Sequence, residues 1–470
     1  MYRRCAANCA QPGHICPTSE ANAMSSYTYT RDIPVEQPYD LVVAGGGPAG
    51  SAAAICAARL GARVLLLEAL GCLGGMGTAG MVCAFDPMAN GVEMLVGGFM
   101  RELVETLYER GFVSPAITPD AWRKDYHRWT PFSAEGLKLV LDELATQAGV
   151  EVRFFTRVID ADMAAPGTVR GVITSSIEGL SYIPAKTFID ATGDAVLSVA
   201  CGAVTRQAGR DTPHIMPATL PALFAGLDFD KPGLRTQPPE VVRLIEAEYA
   251  AGLFEQVDRH LVGMSQIGRH TGYLNGGHLF GLDATSVASL TDGMMQGRRI
   301  AQQNERFFKK YQPSAAGMEL VATPVVMGVR ESRRVLGEYE LTYGDYMARR
   351  HFHDQIGLFN KFVDIHAYDT SKEEYARFTG EHDSARLGKG ESFGIPYGIL
   401  VPKGFTNLWV AGRCASADVK VQGSIRVMPA CAMMGEAAGA AAVQAMATGQ
   451  TANDLDTAAL VTTLRAQGAH

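Results

Sequence analysis

The stretch from Tyr39 to Glu68 constrains the fold of this chain more than any other part of its sequence. An apolar run, Tyr39–Ala44, leads into the sequence GGGPAG, which is followed by small residues that predict a helix over Ser51–Leu60. A second apolar run, Ala62–Leu67, ends at the acidic Glu68. The order of strand, G-x-G-x-x-G, helix, strand and acid is typical of a Rossmann-type unit that binds a dinucleotide.

The glycines and the start of the helix have separate physical roles in such a unit. Gly45 permits a tight turn, Gly47 lets the backbone approach a pyrophosphate, and Gly50 lets the helix pack closely against the strand. Pro48 and Ala49 precede the predicted helix and are also expected to bind the cofactor, because the free N–H groups and the positive dipole end of a helix N-terminus favour phosphate. An ordinary glycine loop in an α/β protein is the alternative interpretation.

Glu68 and the loop after it indicate which dinucleotide is bound. Glu68 lies 18 residues beyond Gly50, where a carboxylate accepts hydrogen bonds from ribose hydroxyls, and an acid at this place disfavours a 2′-phosphate. A second glycine-rich loop, Gly71–Thr78, follows at once, and its amides would reach the flavin half of a long cofactor. NAD enzymes have no need of such a loop, so the sequence predicts FAD. The further residues predicted to bind it here are Ala69, Gly74, Gly75, Met76 and Thr78.

Three later apolar runs are predicted strands of the same domain. The runs are Val152–Val158, Thr187–Ala195 and Asn407–Ala411. The second contains Gly193 and Asp194 near its end, and the third is followed by Gly412 and Arg413. A helix of small residues is predicted over Met428–Ala447, and its N-terminus would face another part of the same ligand.

These segments resemble the FAD-dependent oxidoreductases of the glutathione-reductase superfamily, and within them a family related to fumarate reductase flavoproteins and thiazole synthases. The resemblance covers Tyr39 to Gly449. It is most specific in Leu73–Gly80, Gly328–Leu341 and Ile395–Met428. It implies an α/β fold in which a Rossmann-like FAD-binding domain of the glutathione-reductase type carries an inserted α+β substrate or cap domain.

The resemblance also implies roles for individual residues. The ADP half of FAD would be bound by Gly45, Gly47, Gly50 and Glu68, and the backbone at Val158 would contact adenine. The pyrophosphate and ribityl chain would lie near Gly193 and Asp194. The ribityl chain and isoalloxazine would be held by Gly412, Arg413, Arg426 and Met428. One feature departs from the wider superfamily, in which the last strand often ends in Gly-Asp. Here that pair is Gly412-Arg413, and Asp418 follows five residues later, so the ribityl contacts stay open.

The predicted domain organisation is discontinuous. Residues 1–37 lack periodicity and are expected to be a disordered leader, residues 38–202 and 395–470 form the FAD-binding domain, and residues 203–394 form the substrate or cap domain. No second strand–GxGxxG–helix unit is found, so electrons would come from or go to an external donor or acceptor. A cluster held by Cys5, Cys9 and Cys16 is conceivable, although their spacing matches no ferredoxin pattern.

An arginine-rich segment is the first candidate for binding the substrate. On a predicted helix, Arg330 would share a face with Arg333 and Arg334, and two guanidinium groups on one face clamp an anion such as a carboxylate. Structural ion pairs with Glu331, Glu338 or Glu340 are the alternative.

His366 is the candidate for the catalytic base. A histidine near neutral pKa accepts a proton when flavin takes hydride from an alcohol or amine carbon, and Asp364 stands close enough in sequence to orient it. An ordinary surface or satisfied histidine is the alternative.

Cys72 lies inside the second glycine loop, so a covalent flavin link through its sulfur is a further possibility beside a neutral loop residue.

Composition restricts the partners. The net charge is -7, with no basic stripe, which argues against nucleic acid. No apolar run is long enough to cross a membrane, and the nine cysteines show neither a CxxC nor a zinc pattern. We therefore expect a cytoplasmic protein without a metal site and with a small-molecule substrate. A homo-oligomer is possible, but the sequence does not decide the oligomeric state.

Three functions from different classes stay open on the sequence. The favoured one is an FAD-dependent dehydrogenase or oxidase, in which an alcohol, amine or hydroxy acid gives hydride to flavin N5, His366 takes the proton, and Arg330 or Arg333 positions the substrate. The second is a reductase or electron-transfer subunit fed by a partner protein. The third is a nucleotide-binding biosynthetic protein without net redox turnover.

Overall fold

The glycine motif directly follows a central strand of the largest sheet, and the last four residues of that strand, residues 41–44, are buried. A computed structural model describes residues 26–118, 120, 122, 129–235, 241–384 and 386–469. The strands of these residues are β1 Tyr39–Ala44, β2 Val64–Leu67, β3 Ala84–Phe85, β4 Thr130–Pro131, β5 Glu151–Arg153, β6 Arg157–Ala165, β7 Thr168–Ser176, β8 Gly179–Asp190, β9 Thr205–Gln207, β10 Ala218–Thr219, β11 Ala222–Ala225, β12 Ser265–Gln266, β13 Gly272–Leu274, β14 His278–Leu279, β15 Glu319–Ala322, β16 Arg333–Val335, β17 Gln355–Phe359, β18 Phe393–Pro396 and β19 Leu408–Val410.

The largest sheet has seven strands in the order β5-β2-β1-β8-β7-β6, and β19 pairs with β8 as well. β5, β2, β1, β8 and β19 run parallel, whereas β6, β7 and the first half of β8 form an antiparallel meander. β8 is long enough to take part in both. Leu41 to Ala44 of β1 are apolar and buried on both faces of the sheet, as is typical of parallel strands. The fold is therefore mixed α/β with a parallel, Rossmann-like core.

Two helices of small residues pack against each other on this sheet. The helices of the described residues are α1 Pro48–Arg59, α2 Gly98–Glu109, α3 Ala134–Ala148, α4 Val196–Ala200, α5 Val241–Ala250, α6 Val287–Tyr311, α7 Tyr343–Met347, α8 Lys372–Ser384, α9 Val419–Ile425, α10 Met428–Thr448 and α11 Thr457–Ala466. A Cβ atom on Gly435 of α10 would lie 1.9 Å from the Ala49 carbonyl oxygen of α1, and one on Gly439 would lie 2.4 Å from that of Ala53. The backbones of α1 and α10 thus touch, which brings the starts of both helices to one place.

Two predicted elements differ from the structure. The run Val152–Val158 is two strands, β5 and β6, because the chain turns at residues 154–156 and leaves the parallel sheet for the meander. The run Thr187–Ala195 is the end of the longer strand β8, and Asp190 is its last residue. The Asp190 carboxylate accepts hydrogen bonds from the backbone and hydroxyl of both Thr192 and Ser198, which turn the chain into α4.

The chain divides after Ile33, and the residues from Pro34 onward form one compact unit. Residues 26–33 contain neither helix nor strand. Residues near the predicted end of the leader belong to the compact unit, since Glu36 donates its N–H to the Tyr182 carbonyl and pairs with Arg153. Cys5, Cys9 and Cys16 lie outside the described residues. Within the described part of the chain, no helix combines the length and apolar character needed to cross a membrane.

Glu436 is a buried carboxyl group that ties α10 to the start of α2. Both of its oxygens accept from the Phe99 N–H at 3.2 and 3.3 Å, and burial raises its pKa to about 7. A folded-state pKa above the unfolded value means that the neutral acid is favoured by folding. Its contribution to stability is therefore complete below pH 4.5 and is lost as the pH rises through 7.

We expect Glu436→Gln to remove this pH dependence. The rise in pKa from 4.5 to about 7 corresponds to about 3 kcal/mol of unfolding free energy at most. Urea unfolding at pH 5 and pH 8 gives the difference in unfolding free energy between the variant and wild type. This difference should change in favour of the variant by up to that amount between pH 5 and pH 8. Glu109→Gln, on the exposed side of α2, serves as the control. Parallel stability curves for Glu436→Gln and wild type would contradict the assignment.

Candidate active site

A cavity of about 590 Å³ lies where α1 and α10 begin. Gly47 and Val427 precede these two helices, and neither helix start is capped by a side chain. The first N–H groups of both helices therefore stay available to a ligand, and the positive ends of both dipoles point to the same region. A Cβ atom on Gly47 would meet nothing within 4 Å, which leaves room for a group held against the backbone.

Most residues predicted to bind the cofactor line this cavity. They are Gly45, Gly47, Pro48, Ala49, Glu68, Ala69, Gly75, Met76, Gly193, Asp194, Gly412, Arg413, Arg426 and Met428. The others lie behind its wall. Gly50 packs on Gly45, whose carbonyl oxygen would be 1.7 Å from an added Cβ, while Gly74 and Thr78 hold the second glycine loop through bonds to Gly46 and Leu73.

Val158 does not line the cavity, and its predicted backbone contact with adenine stays a prediction. It is buried in β6 opposite Thr174, and its neighbour Arg157 lines the cavity instead. A strand alternates its side chains between two faces, so adjacent residues cannot both face the cavity. Arg157 is thus a cavity residue that the sequence interpretation did not name.

Glu68 is fixed by the backbone on both sides of it. Its two oxygens accept from the N–H groups of Gly46 at 2.7 Å and Leu70 at 2.8 Å. Burial raises the pKa of Glu68, while these hydrogen bonds oppose the rise. A carboxylate has about four lone-pair positions, so these bonds do not use all of its capacity to accept hydroxyl groups of a ligand, as the sequence predicts for a ribose.

Arg413 stands where the wider superfamily often has aspartate, and it connects three segments. It forms an ion pair with Asp194, donates from Nε to the Gly193 carbonyl at 3.0 Å, and donates from Nη1 to the Val329 carbonyl at 2.7 Å. Asp418 does not replace the missing aspartate, because its carboxylate caps α9 through the Val421 N–H. The ends of β8 and β19 are therefore joined by an Asp194–Arg413 pair on the cavity wall.

The predicted helix around Arg330 is wrong. Gly328 forms a β-bridge with Thr219, and Arg333–Val335 is strand β16, paired with β9. The periodicity of a helix therefore does not apply. Arg330 reaches the cavity, whereas Arg333 donates to the Asp194 carbonyl at 3.2 Å from outside it.

The alternative reading of this segment as ion pairs holds for one arginine. Arg334 is buried with Nη1 at 3.5 Å from Glu331 Oε2, and its Nε donates to the Ala417 carbonyl. Glu340 pairs with Arg206, and Glu338 accepts from the Gly404 N–H.

Arg330 is a buried cation on the cavity wall. Its side chain is only 7% exposed, and Nη1 donates to the Pro217 carbonyl and to Thr219 Oγ1, both at 2.7 Å. No carboxylate pairs with it among the described residues. Burial and the neighbouring Arg426 lower the pKa of its guanidinium, so a ligand anion here would be strongly favoured.

His366 does not line the cavity and lies behind Asp364, which does. Its Nε2 is 3.3 Å from Asp364 Oδ1, and Asp364 itself lines the cavity. Arg426 donates to both the carboxylate and the carbonyl of Asp364, at 3.2 and 2.8 Å. The adjacent aspartate that the sequence offered as a partner for His366 is therefore the group that faces a ligand.

Lys361 and Asp86 form a buried ion pair on the same wall. The sequence interpretation named neither residue, because they are 275 positions apart and belong to no motif. Further cavity residues that it missed include Leu70, Val82, Ala84, Trp129, Thr192, Thr219, Asn275, Leu290, Met294, Val329, Val427 and Cys431.

Cys72 does not line the cavity. Its sulfur lies 3.7 Å from Thr78 Oγ1 within the second glycine loop, so the structure offers no support for a covalent flavin link there. Across the described ranges, no group of three or more His, Cys, Asp and Glu side chains is arranged to hold a metal ion.

Comparison with known proteins agrees with this geometry. A match to the family of FAD dependent oxidoreductases extends over residues 40–464. An uncharacterised protein from the nifH2 5′ region of Methanosarcina barkeri is 34% identical over 194 residues, which are 38% of this chain and 95% of that protein. A dihydrolipoyl dehydrogenase of Trypanosoma brucei brucei is 51% identical over 47 residues, 10% of either chain.

Solved structures of flavoenzymes resemble the chain more distantly. A geranylgeranyl bacteriochlorophyll reductase-like protein from Thermoplasma acidophilum is 13% identical, with 92% of this chain and 83% of that chain covered and a TM-score of 0.44. The flavin-dependent halogenase CmlS is 14% identical, with 92% and 62% covered and a TM-score of 0.47. The cavity lies between two uncapped helix starts and Glu68, as an FAD site requires. Together with the family match, this shows that the chain belongs to the FAD-dependent oxidoreductases and is an enzyme that uses FAD.

Proposed function

We propose that this enzyme transfers hydride between flavin N5 and a small anionic organic substrate, as a dehydrogenase or oxidase. A hydroxy acid fits best, and an alcohol or amine that carries a carboxylate is included. The observation that carries the proposal is the buried Arg330 on the cavity wall, which has no carboxylate partner among the described residues. Bound FAD supplies the two-electron chemistry, and the residues of the chain position the substrate and handle its proton.

Arg330 suits a carboxylate both in charge and in geometry. The Pro217 carbonyl and Thr219 hydroxyl are neutral acceptors that occupy Nη1 alone. The other guanidinium nitrogens stay available for a planar anion, which arginine binds through two parallel hydrogen bonds. Three other cations of the wall are already paired, Lys361 with Asp86, Arg426 with Asp364 and Arg413 with Asp194. The fourth, Arg157, is exposed to solvent and lies near Glu68, on the predicted cofactor side. Arg330 is therefore the cation assigned to the substrate.

Asp364 is the group assigned to exchange a proton with the substrate. It lines the cavity, and the hydrogen bonds from Arg426 and His366 fix its position. A carboxylate backed by an imidazole acts as base in one direction and as acid in the other. His366 then takes part through Asp364 and is a positioning residue.

We assign the substrate side of the cavity to the segment 203–394, the predicted substrate or cap domain. Arg330, Asp364 and Lys361 come from this segment, as do Asn275 and Met294. The motif around Gly45 and the start of α10, by contrast, come from the two flanking segments. This division supports the proposed roles of the three segments.

The proposal is tested by substrate-dependent reduction of the bound FAD without oxygen. A panel of hydroxy acids is compared with alcohols and amines of the same carbon skeleton that lack the carboxylate. We expect the hydroxy acids to reduce the flavin, and we expect Arg330→Met to weaken their binding by about 10- to 100-fold, since a charged hydrogen bond contributes about 1.5–3 kcal/mol. Arg333→Met is the matched control, because Arg333 lies outside the cavity.

Two results would overturn the proposal. Equal reduction by charged and neutral substrates, with Arg330→Met and Arg333→Met behaving alike, would remove the role of Arg330. Reduction of the flavin only when a partner redox protein is added would favour a partner-fed reductase instead.

A further inference from the structure

A chain of four side chains leads from the cavity wall into the protein. His366 Nε2 lies 3.3 Å from Asp364 Oδ1, His366 Nδ1 lies 2.9 Å from His278 Nε2, and His278 Nδ1 lies 3.1 Å from Asp258 Oδ1. Asp364 lines the cavity, whereas the two imidazoles are buried, with 7% and 2% of their surface exposed. The geometry is thus two imidazoles in direct contact between two carboxylates.

These contacts need one proton more than two neutral imidazoles carry. If each neutral ring directs its single N–H to the carboxylate beside it, the two ring nitrogens that face each other at 2.9 Å are both acceptors. If His366 instead directs its N–H to His278, its bare Nε2 faces the carboxylate of Asp364. Every contact becomes a hydrogen bond when one imidazole is protonated on both nitrogens.

In the form that carries this extra proton, the surrounding charges disfavour a charged His366. Burial and the nearby Arg330 lower the pKa of His366, which favours its neutral form. Burial alone would raise the pKa of Asp258, yet the charge and hydrogen bonds of His278 hold it below its ordinary value. His278 then donates to Asp258 and to His366, and neutral His366 donates to Asp364.

The remaining groups that face the chain do not compete for the proton. The ring of His260 stacks on His278 with centroids 5.5 Å apart and meets His366 edge-on at 5.3 Å. Burial and the neighbouring His278 lower the pKa of His260 to about 4, so His260 is neutral.

Charged and aromatic groups surround the two ends of the chain. Lys361 and Arg426 lie near Asp364 and help to keep it ionised. Arg259 and Tyr375 lie near Asp258, and the ring of Phe378 stacks on His366. None of these groups replaces a hydrogen bond of the chain.

We infer that Asp258, His278, His366 and Asp364 form a store for one proton, which the enzyme exchanges with its substrate through Asp364. Before the store takes up a proton, His366 Nδ1 donates to His278 Nε2, and His366 Nε2 carries no proton. When the substrate is oxidised, its proton passes to Asp364 and on to this bare His366 Nε2, while the proton on His366 Nδ1 passes to His278 Nε2. The charge of the store rises by one unit, and Asp258 stabilises the resulting imidazolium. Reduction of the substrate runs the same transfers in reverse. The inference rests on the proposed function for the direction in which the proton is used.

The shared proton is tested first on the intact FAD-loaded enzyme without substrate. A proton held between His278 and His366 should give a low-field ¹H resonance, coupled to ring nitrogens in protein labelled with ¹⁵N-histidine. We expect it in wild type and in His260→Asn, and we expect it to be missing in His278→Asn and His366→Asn. Its absence from the wild-type spectrum would overturn the store, whatever the folding of the variants.

The transfer is tested by rapid mixing with the substrate that reduces the flavin. We expect His278→Ala to slow flavin reduction by about a hundredfold, in the range of general acid–base catalysis, and to change its pH profile. Added imidazole should restore the rate, because it fits the space of the missing ring. A rate and pH profile equal to those of His260→Asn would overturn the role of His278.

The two proposals fail separately. The resonance needs no substrate, so it stays interpretable if the substrate class is wrong. One combination of results would overturn the anion site alone. In that case the resonance is present and His278→Ala slows flavin reduction, but Arg330→Met binds the substrate as tightly as wild type.

Discussion

Replacing Gly47 by alanine is expected to weaken FAD binding by about 10- to 100-fold, because overpacking costs about 1–3 kcal/mol. Gly47 has φ −65°, which any residue adopts, and an added Cβ meets no protein atom within 4 Å. The methyl group would enter the space beside the uncapped start of α1, where a pyrophosphate approaches the backbone. The FAD-free variant should therefore unfold at the wild-type temperature. Equilibrium titration with FAD and thermal unfolding measure the two effects separately.

Gly50→Ala is the matched comparison, because the same methyl group there meets protein instead of ligand. Its Cβ would lie 1.7 Å from the Gly45 carbonyl oxygen, so helix α1 and strand β1 cannot keep their contact. We expect a loss of about 3 kcal/mol or more of stability even without FAD. If Gly47→Ala binds FAD as tightly as wild type, the pyrophosphate does not lie at the start of α1.

Lys361→Met is expected to destabilise the protein by about 3–5 kcal/mol, because it leaves the Asp86 charge buried and unpaired. The side chains of this ion pair are 3% and 7% exposed, so water cannot replace the lysine. Urea unfolding of the variant measures the loss. Burial already raises the pKa of Asp86 while Lys361 opposes the rise. Without the lysine the folded-state pKa rises further, so the loss should be full at high pH and should shrink as acid protonates Asp86.

The double variant Lys361→Met with Asp86→Asn decides whether the buried charge is the cause. Removing the second charge should restore most of the lost stability, which two independent effects would not do. Lys389→Met, at an exposed position, controls for the loss of a lysine as such. If Asp86→Asn adds to the damage instead of relieving it, the lysine acts through its packing and not through its charge.

The part of the site that could be predicted from the sequence is the part that is local in the chain. Gly45, Gly47, Pro48 and Glu68 fall within one strand–helix–strand unit, and each has a role that its neighbours impose. Backbone geometry at a glycine turn and the register of two parallel strands need no information from distant residues. The predicted strand β1 and its glycine turn are accordingly present at the predicted positions.

The prediction failed where the chain context decided the local structure. The arginine segment has a spacing that suits a helix, but Gly328 pairs with Thr219 and β16 pairs with β9. Backbone hydrogen bonds to distant strands outweigh a helical preference, which differs by less than about 1 kcal/mol per residue among ordinary residues. Arg330 and Arg333 therefore separate, and Arg330 alone faces the cavity.

The sequence by itself determined a dinucleotide unit, a parallel α/β core and the choice of FAD, because these follow from spacing within short segments. Only the tertiary structure decided what meets on the substrate side. Asp86 and Lys361 are 275 residues apart, and His278 and His366 are 88 residues apart. No periodicity links residues at such distances. Their contacts exist because packing buries charged and polar groups, and buried groups are stable only where partners satisfy their charges and hydrogen bonds.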